Sequence, residues 1–320
     1  MIRYVIKRLL IFIPVLIGIT IATQILISVA PGDPARIIAG MDAEEWEYQQ
    51  IKEELGLNLP IVVRYWNFIS RAVQGDMGTS FRTKRPIMPD IMERWPYTVM
   101  MATMSIVLST IIGIPLGIFA ATHQYKMSDG VAVLISLLAV SMPAFWFALL
   151  LVQLFSVRLM LLPVAGIQNW RGWILPTISL SLGYAASITR QMRSNMLEVI
   201  RQDFITTARA KGQTERKVRY KHALKNALIP VVQVIGGIYG MALGGALIAE
   251  MIFSVPGLGS FTLTGLMNRD YPVIQANVMF LSVLFCLIML LIDIAFAFID
   301  PRIRSQFAGR KRSREKREVV

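Results

Sequence analysis

Few residues of this chain have the type and spacing that catalysis or metal binding requires. The two histidines, His123 and His222, lie far apart and have no cysteine or acidic partner at a ligand spacing. The single cysteine, Cys286, lies inside an apolar run and cannot form an internal disulfide. The sequence contains no G-x-x-x-x-G-K-[ST] phosphate loop, no H-E-x-x-H motif and no G-x-S-x-G motif. We therefore expect a protein that is not an enzyme and has no metal site and no cofactor.

Charged residues inside the apolar runs would indicate ion-coupled transport. Only Glu250 and Asp293 approach such runs, and both lie near the ends of them. If the protein moves a solute uphill, the energy must come from elsewhere, and an attached ATPase is the consistent source. Milder polar residues within the runs could line a passage or hydrogen-bond between helices. They are Gln24, Ser105, Ser109, Ser141, Gln153, Ser179, Ser181, Gln233, Gln275 and Asn277.

The most informative stretch is the charged segment from Asp203 to Pro230, which lies between two apolar runs. Its first part can form a short helix, because Asp203 suits the first turn and Phe204 and Ala208 share a face at i and i+4. Gly212 is the natural end of that helix, since glycine adopts the left-handed conformation at little cost. Such a helix could insert into a groove on a partner, or the segment could be an ordinary solvated cytoplasmic loop.

Six charge-free runs reach or approach the roughly 20 apolar residues that a helix needs to cross a bilayer. They predict an all-α membrane protein with six transmembrane helices. The first run is too long for the apolar region of a secretory signal, so we interpret it as an uncleaved helix. The runs are Leu9–Gly32, Trp95–Thr122, Val131–Val157, Gly172–Thr189, Asn226–Ala249 and Tyr271–Ile292.

Proline and glycine predict how these helices bend and pack. Pro143 lies in the middle of the third run and should kink it. Gly113 and Gly117 are one turn apart and allow a second helix to approach closely. A further smooth face, for a helix of this chain or of another subunit, is formed by Gly236, Gly240 and Gly244.

The longest polar insert, Pro31–Arg94, predicts a small external domain between the first two helices. Its scattered aromatic residues could form a small core, Glu44–Leu55 has a helical composition, and Gly56 is a plausible helix stop. This domain could dock a binding protein that delivers substrate, or it could only brace the helices. The predicted division of the chain is therefore residues 1–94, a membrane core at 95–301, and a basic tail at 302–320.

The net charge of +13 is explained by the orientation of the chain in a membrane and does not require nucleic-acid binding. Lys and Arg are more numerous in the segments predicted to be cytoplasmic, as the positive-inside rule expects. This places both termini in the cytoplasm. Arg190 and Arg193 are expected to extend the fourth helix by reaching toward the cytoplasmic edge of the membrane.

The segment Asp203–Pro230 resembles the cytoplasmic EAA loop of ABC importer permeases. Thr206, Thr207 and Ala208 fall on its Glu-Ala-Ala, and Gly212 falls on its glycine. The glutamate of that pattern is absent, as is its later proline, and Pro230 follows farther on. The form TARAKG…HALKNALIP resembles the dipeptide, oligopeptide and nickel permeases. The same branch is indicated by Pro31-Gly32-Asp33-Pro34, Ser141-Met142-Pro143-Ala144-Phe145-Trp146, Glu250–Gly259, Arg269-Asp270-Tyr271-Pro272 and Asp300-Pro301-Arg302.

This resemblance implies a type I importer permease in the cytoplasmic membrane. The implied partners are a second, homologous permease, two cytoplasmic ATP-binding subunits and an extracytoplasmic substrate-binding protein. Phe204 and Ala208 would form the face that docks on the ATPase, Arg209 would pair with its acidic residues, and Gly212 would set the turn. The full set of implied coupling residues is Phe204, Thr206, Thr207, Ala208, Arg209 and Gly212.

The implied cargo is a di- or oligopeptide, with nickel, a metal chelate or glutathione as alternatives carried by the same machinery. No substrate-binding residue can be named from the sequence. A membrane enzyme would need titratable residues gathered at one depth, which the sequence does not supply. A scaffold or receptor subunit that acts through its external domain is the alternative from a different functional class.

Overall fold

The computed structural model of the chain describes residues 2–29, 32–40 and 43–299. Apart from turns and one isolated β-bridge between Thr79 and Pro86, these residues form helices. The predicted basic tail 302–320 and the helix end at Asp300-Pro301 lie outside the described residues.

The helices are numbered in chain order. They are α1 (Ile2–Val29), α2 (Pro34–Ala39), α3 (Glu45–Glu54), α4 (Ile61–Val73), α5 (Ile87–Thr122), α6 (Met127–Ser141), α7 (Ala144–Leu151), α8 (Ile174–Ile200), α9 (Asp203–Ala210), α10 (Glu215–Lys217), α11 (Leu224–Gly245), α12 (Leu247–Ile252), α13 (Leu258–Met267) and α14 (Tyr271–Ile299). Short π-helices follow α7 and α10, at Val152–Arg158 and Val218–Ala223, and a 3-10 turn at Trp170–Trp173 precedes α8.

Four helical stretches of the described chain are long and apolar enough to cross a membrane, and a bent pair gives up to five. The four are Val5–Val29, Ile87–Thr122, Glu215–Gly244 and Tyr271–Ala295. The all-α membrane fold is confirmed, while the count of six spans stays a prediction. The predicted fourth span lies in α8, whose hydropathy is lowered by serine and threonine and by the charges of its second half.

The predicted kink at Pro143 is confirmed. Helix α6 ends at Ser141 and α7 begins at Ala144, and the two directions differ by 98°. Met142, the residue before the proline, has an extended ψ of 127° because the proline ring disfavours a helical conformation there. The third apolar run is therefore two helices rather than one kinked helix.

One compact unit comprises Met1–Met101, Val164–Gly172 and Leu243–Cys286. The predicted helix and glycine stop in its polar insert are confirmed, since α3 ends at Glu54 and Gly56 has a φ of +64°. The apolar core is not made by the insert alone, and Trp46 and Trp66 are exposed on the surface. The core joins α4 and α5 to α13 and α14 through Ala72, Met77, Ile87, Ile91, Leu258, Val273 and Ala276.

The described part of the second compact unit comprises Ala102–Pro163, Trp173–Ala242 and the chain from Leu287 to Ile299. Here the predicted close approach at Gly113 and Gly117 is confirmed, and the neighbour is α8. A Cβ atom added to Gly113 would lie 2.8 Å from Ile188 Cβ, and one added to Gly117 would lie 2.5 Å from Met192 Cβ. At Gly236 the smooth face of α11 meets α14 within the same unit, because a Cβ there would lie 2.7 Å from Ile292 Cγ2.

Replacing Gly117 with alanine is expected to lower the melting temperature of the protein. The new methyl would lie 2.7 Å from the Thr189 carbonyl oxygen, which is backbone and cannot yield without moving α8. The overpacking cost, about 1–3 kcal/mol, should exceed the gain of about 1 kcal/mol from replacing a helical glycine. Gly237→Ala is the matched control, because no atom of another described segment lies within 4 Å of its added Cβ. Equal melting temperatures of the two variants in detergent would contradict the packing argument.

Candidate functional site

The predicted short helix in the charged segment is present as α9, Asp203–Ala210. It follows α8 after a break of two residues, and Asp203 lies in its first turn. The predicted stop at Gly212 is confirmed, since its φ is +73° and its N–H donates to the Arg209 carbonyl oxygen at 2.9 Å. The left-handed conformation explains why a glycine ends the helix here.

One side of α9 faces the interior of its own unit. Ile205 is fully buried and Ala208 is 8% exposed, and these two residues are three apart on one face. Ala208 is therefore not a surface contact, in contrast to the predicted docking face of Phe204 with Ala208. At about 100° per residue the two positions differ by only about 40°, and the boundary of burial passes between them.

The outer side of α9 carries an exposed aromatic ring. Phe204 is 41% exposed, and Thr207 and Lys211 lie beside it at helical spacing and are also exposed. We call Phe204, Thr207 and Lys211 the outer stripe. Thr206 is exposed as well but lies on a different side of the helix. Sequence reasoning did not single out Lys211 as part of a surface, although the i, i+3, i+7 spacing of the stripe contains that signal.

Arg209 forms an ion pair within the chain, across the turn that Gly212 makes. Its Nε lies 2.7 Å from Glu215 Oε1 and its second nitrogen 3.4 Å from Oε2. The Glu215 carboxylate raises the pKa of the Arg209 guanidinium through this hydrogen bond. Both side chains are about half exposed, so the pair contributes at most about 1 kcal/mol to stability. In this conformation the Arg209–Glu215 ion pair links the two sides of the turn. The sequence analysis instead predicted that Arg209 pairs with acidic residues of an ATP-binding subunit.

The chain returns from the turn through a basic surface. The buried side chains of Val218 and Ala223 hold the π-helix against the unit, and Tyr220 is 56% exposed between basic residues. The sequence analysis did not single out Tyr220. The available signal was an aromatic residue within the basic stretch KVRYKHA. An open depression of about 450 Å³ is lined by Thr214, Arg216, Lys217, Tyr220 and Lys221.

Comparison with known proteins connects this geometry to a family. Residues 113–305 match the family described as binding-protein-dependent transport system inner membrane component, and residues 1–102 match the N-terminal domain of such components. The chain belongs to this family. It is a multi-pass membrane component of a transport system, and the resemblance to ABC importer permeases that its motifs indicated is confirmed.

Curated relatives carry the same assignment along nearly the whole chain. The glutathione transport system permease protein GsiC of Escherichia coli K12 is 40% identical over 304 residues, which cover 95% of this chain and 99% of the relative. The GsiC protein of Shigella dysenteriae matches to the same extent. Among solved structures, the inward-facing MetNI methionine ABC transporter superposes with a TM-score of 0.58 at 19% identity. That match covers 67% of this permease and 98% of the other chain, and it shows a shared fold.

An ion pair joins α6 to α8 in the permease. Arg193 donates from Nε and from a terminal nitrogen to the two carboxylate oxygens of Asp129, each at 2.7 Å. Asp129 is buried and Arg193 is partly exposed, while the predicted position of Arg193 at the membrane edge stays a prediction. The two residues are 64 positions apart, so spacing gave no sign of the contact. The pair ties the broken third run to the helix that leads into α9.

Replacing Asp129 with asparagine is expected to destabilise the permease by about 1–2 kcal/mol, since a bidentate bond to a charged group is lost while Arg193 is partly exposed. Asp129→Arg and Arg193→Asp should each destabilise the permease when made alone, and the double variant with both should lose less than the sum of the two, because it restores opposite charges. Thermal melting of the single and double variants measures the coupling. Additive losses in the double variant would contradict a direct pair.

A buried carboxylate organises the EMIFSVPGLG segment. Glu250 is fully buried and accepts hydrogen bonds from the Thr98 hydroxyl at 2.7 Å and from the Ser260 N–H at 2.8 Å. The Thr98 oxygen in turn accepts from the Leu258 N–H at 2.8 Å. Burial raises the pKa of the Glu250 carboxyl, and these hydrogen bonds, with one from the Gly259 N–H, act in the opposite direction. Glu250 thus caps the beginning of α13.

Several polar residues of the apolar runs hydrogen-bond within the protein. Ser109 donates to the carbonyl oxygens of Ser105 and Ser181, and Asn277 donates to the Leu258 carbonyl oxygen at 2.6 Å. Among the described residues, no group of three or more His, Cys, Asp or Glu side chains could hold a metal ion.

Proposed function

We propose that this permease is one of two pore-forming subunits of an ATP-driven importer that carries short peptides across the cytoplasmic membrane. The observation that carries the proposal is α9, a short helix with a buried inner face, an exposed outer stripe and a glycine turn, in a member of this transport family. A helix that is held firmly by its own unit yet presents an aromatic ring is suited to transmit motion from a partner.

The proposed partner of the outer stripe is a cytoplasmic ATP-binding subunit. Phe204 supplies an apolar anchor, and aromatic anchors contribute strongly to protein interfaces. The Arg216, Lys217 and Lys221 side chains around the neighbouring depression favour an acidic rim on that subunit. The excess of Lys and Arg in this part of the chain supports a cytoplasmic location for α9 and for both termini. A second permease and an extracytoplasmic binding protein complete the proposed assembly.

Short peptides are proposed as the cargo because the GsiC relatives, which are 40% identical, are named for glutathione transport, and glutathione is itself a small peptide. Glutathione is accordingly the second candidate. To test the proposal, the tagged chain is co-expressed with its chromosomal neighbours and purified in mild detergent, and the bound proteins are identified by mass spectrometry. Reconstituted vesicles are then tested for ATP-dependent uptake of glutathione and of di-, tri- and pentapeptides. Repeated isolation of the chain alone would contradict the proposed assembly.

Phe204→Glu is expected to release the ATP-binding subunits, because a carboxylate would replace the apolar anchor and would repel an acidic rim. The loss should be about 2 kcal/mol or more of binding free energy, as for a central interface residue. The amount of ATP-binding subunit that co-purifies with the permease is the measurement. Gln202→Glu, which adds the same charge at the exposed position just before α9, is the matched control and should retain the subunits. Equal retention by both variants would refute the docking role of the stripe.

A further inference from the structure

A polar cavity of about 310 Å³ lies within the compact unit that contains the polar insert. Its size is at the lower end of the roughly 300–1,000 Å³ range of small-molecule sites. The walls come from the end of α1, the turn after α3, one side of α4, the turn that follows α4, and the beginning of α14. The residues that matter for its chemistry are Gln24, Glu54, Arg64, Arg71, Asp76, Lys84 and Gln275.

Three cationic side chains line the cavity. Arg64, Arg71 and Lys84 take part in no ion pair with another residue of the described ranges 2–29, 32–40 and 43–299. Arg64 is partly buried, and this burial lowers the pKa of its guanidinium. An unpaired guanidinium that is partly removed from water is costly unless another group compensates for it. The cavity therefore favours a ligand that carries a negative charge.

Two carboxylates also line the cavity. Asp76 uses Oδ1 to accept the Gly78 N–H at 2.8 Å, and Glu54 uses Oε1 to accept the Gln50 amide at 3.3 Å. Each carboxylate keeps a second oxygen that could accept from an ammonium group. A site that combines unpaired cations with acidic oxygens matches a zwitterion better than a simple anion.

The floor of the cavity contains an unsatisfied hydrogen-bond donor. Gln24 is 3% exposed, and its Oε1 accepts from Gln275 Nε2 at 2.9 Å. Its own Nε2 is buried and has no hydrogen-bond partner among the described residues. Buried polar groups nearly always have a partner, so an orphaned donor in a cavity wall indicates a ligand acceptor. Because Gln24 lines the cavity and is buried, a small molecule fits this amide better than the surface of a docked protein.

We propose that this cavity binds a short zwitterionic peptide, with its terminal carboxylate toward Arg64 and the Gln24 amide and its ammonium toward Asp76 and Glu54. This inference rests on the proposed peptide import and adds to it a subsite that is lined by none of the residues assigned to coupling. The cavity would hold the cargo at the polar insert before it enters the membrane part of the permease. Its volume restricts the ligand to a few residues.

The test is direct binding of alanyl-alanine to the purified importer complex in lipid nanodiscs, measured by calorimetry. The wild-type complex should bind the C-terminal amide of alanyl-alanine at least about tenfold more weakly than the free dipeptide. The Arg64→Gln complex should bind the free dipeptide more weakly by a similar factor. Each change removes one charge-assisted hydrogen bond. Arg85→Gln is the matched control, because Arg85 belongs to the same turn as Lys84 but does not line the cavity. If the Arg64→Gln complex fails to assemble, Gln24→Met is used in its place. This variant removes the Gln24 amide at nearly constant side-chain volume, and its affinity for the free dipeptide is compared with that of the wild type.

Uptake kinetics separate this inference from the proposed function. Arg64→Gln should raise the KM for dipeptide uptake and leave kcat nearly unchanged, since the subsite acts before translocation. Uptake by the wild type with no effect of Arg64→Gln or of the amide would overturn the subsite and leave peptide import standing. If the variant instead weakened capture of the extracytoplasmic binding protein and left dipeptide binding intact, the cavity would be a protein-docking site and the inference would be wrong. Absence of peptide uptake by the wild-type importer would refute the proposed function itself.

Discussion

Gly212→Pro should abolish substrate uptake while the permease still inserts in the membrane. Gly212 has a φ of +73°, and proline is confined to about −65°, so the turn after α9 cannot keep its path. Proline also removes the N–H that donates to the Arg209 carbonyl oxygen. The expected cost is about 3 kcal/mol at this turn, which would displace α9 from its seat. ATP-dependent uptake into vesicles is the measurement, with the quantity of inserted protein determined in parallel.

Gly212→Asn is the control for that experiment, because asparagine tolerates the left-handed conformation better than other residues with a side chain. Its uptake should remain close to that of the wild type. An added Cβ at Gly212 meets nothing within 4 Å, so any loss in the asparagine variant would not come from crowding. Uptake by the proline variant at the wild-type rate would remove the turn from the coupling mechanism.

Ala208 is buried and Phe204 is exposed, and this difference decides which of the two positions can be substituted to test docking of the ATP-binding subunit. A glutamate at Ala208 would place a charge in the interior of the unit, where Ile205 is also buried. Loss of uptake in that variant would report the unseating of α9 and not the loss of a partner contact. Phe204 and Thr207 can be changed without that ambiguity, because both are exposed. In the proposed mechanism Ala208 is therefore the residue that seats the helix.

Local features of this permease could be predicted from the sequence, whereas contacts between distant segments could not. The end of the short helix at Gly212 and the break at Pro143 follow from the conformational limits of single residues. A few residues of local sequence are therefore sufficient to predict them. The pairing of Arg193 with Asp129 and of Glu250 with Thr98 depends on helix packing that brings together residues far apart in the chain. Periodicity carries no information about which helices become neighbours.

The sequence pattern did not predict which residues of α9 are buried. Phe204 and Ala208 satisfy the i, i+4 rule for sharing a face, but the rule does not say whether that face turns inward. The larger and more apolar side chain is the exposed one, which is the reverse of the usual preference. Phe204 therefore lies exposed on a helix whose opposite side is buried, and this became visible only when the exposure of each residue was known.

Glu250→Gln should destabilise the permease by about 1–3 kcal/mol, because the amide NH₂ would face either the Thr98 hydroxyl or the Ser260 N–H, each of which now donates to a carboxylate oxygen. Thr98 and Ser260 both donate to the Glu250 carboxylate, so the amide can satisfy only one of its two oxygen positions. Thermal melting in detergent is the measurement. Glu93→Gln makes the same change at an exposed position of α5 and should leave the melting temperature unchanged.

The glycines around this carboxylate make the prediction more specific. A Cβ at Gly257 would lie 2.2 Å from Glu250 Oε1, and one at Gly259 would lie 2.9 Å from Oε2. Gly257→Ala should therefore also lower the melting temperature, and part of its cost should disappear when Glu250 is shortened to aspartate, because the clash is with the carboxylate itself. Since these residues share one contact, the effects of the two substitutions should not add. Additive losses, or a Glu250→Gln variant as stable as Glu93→Gln, would show that the carboxylate does not hold the beginning of α13.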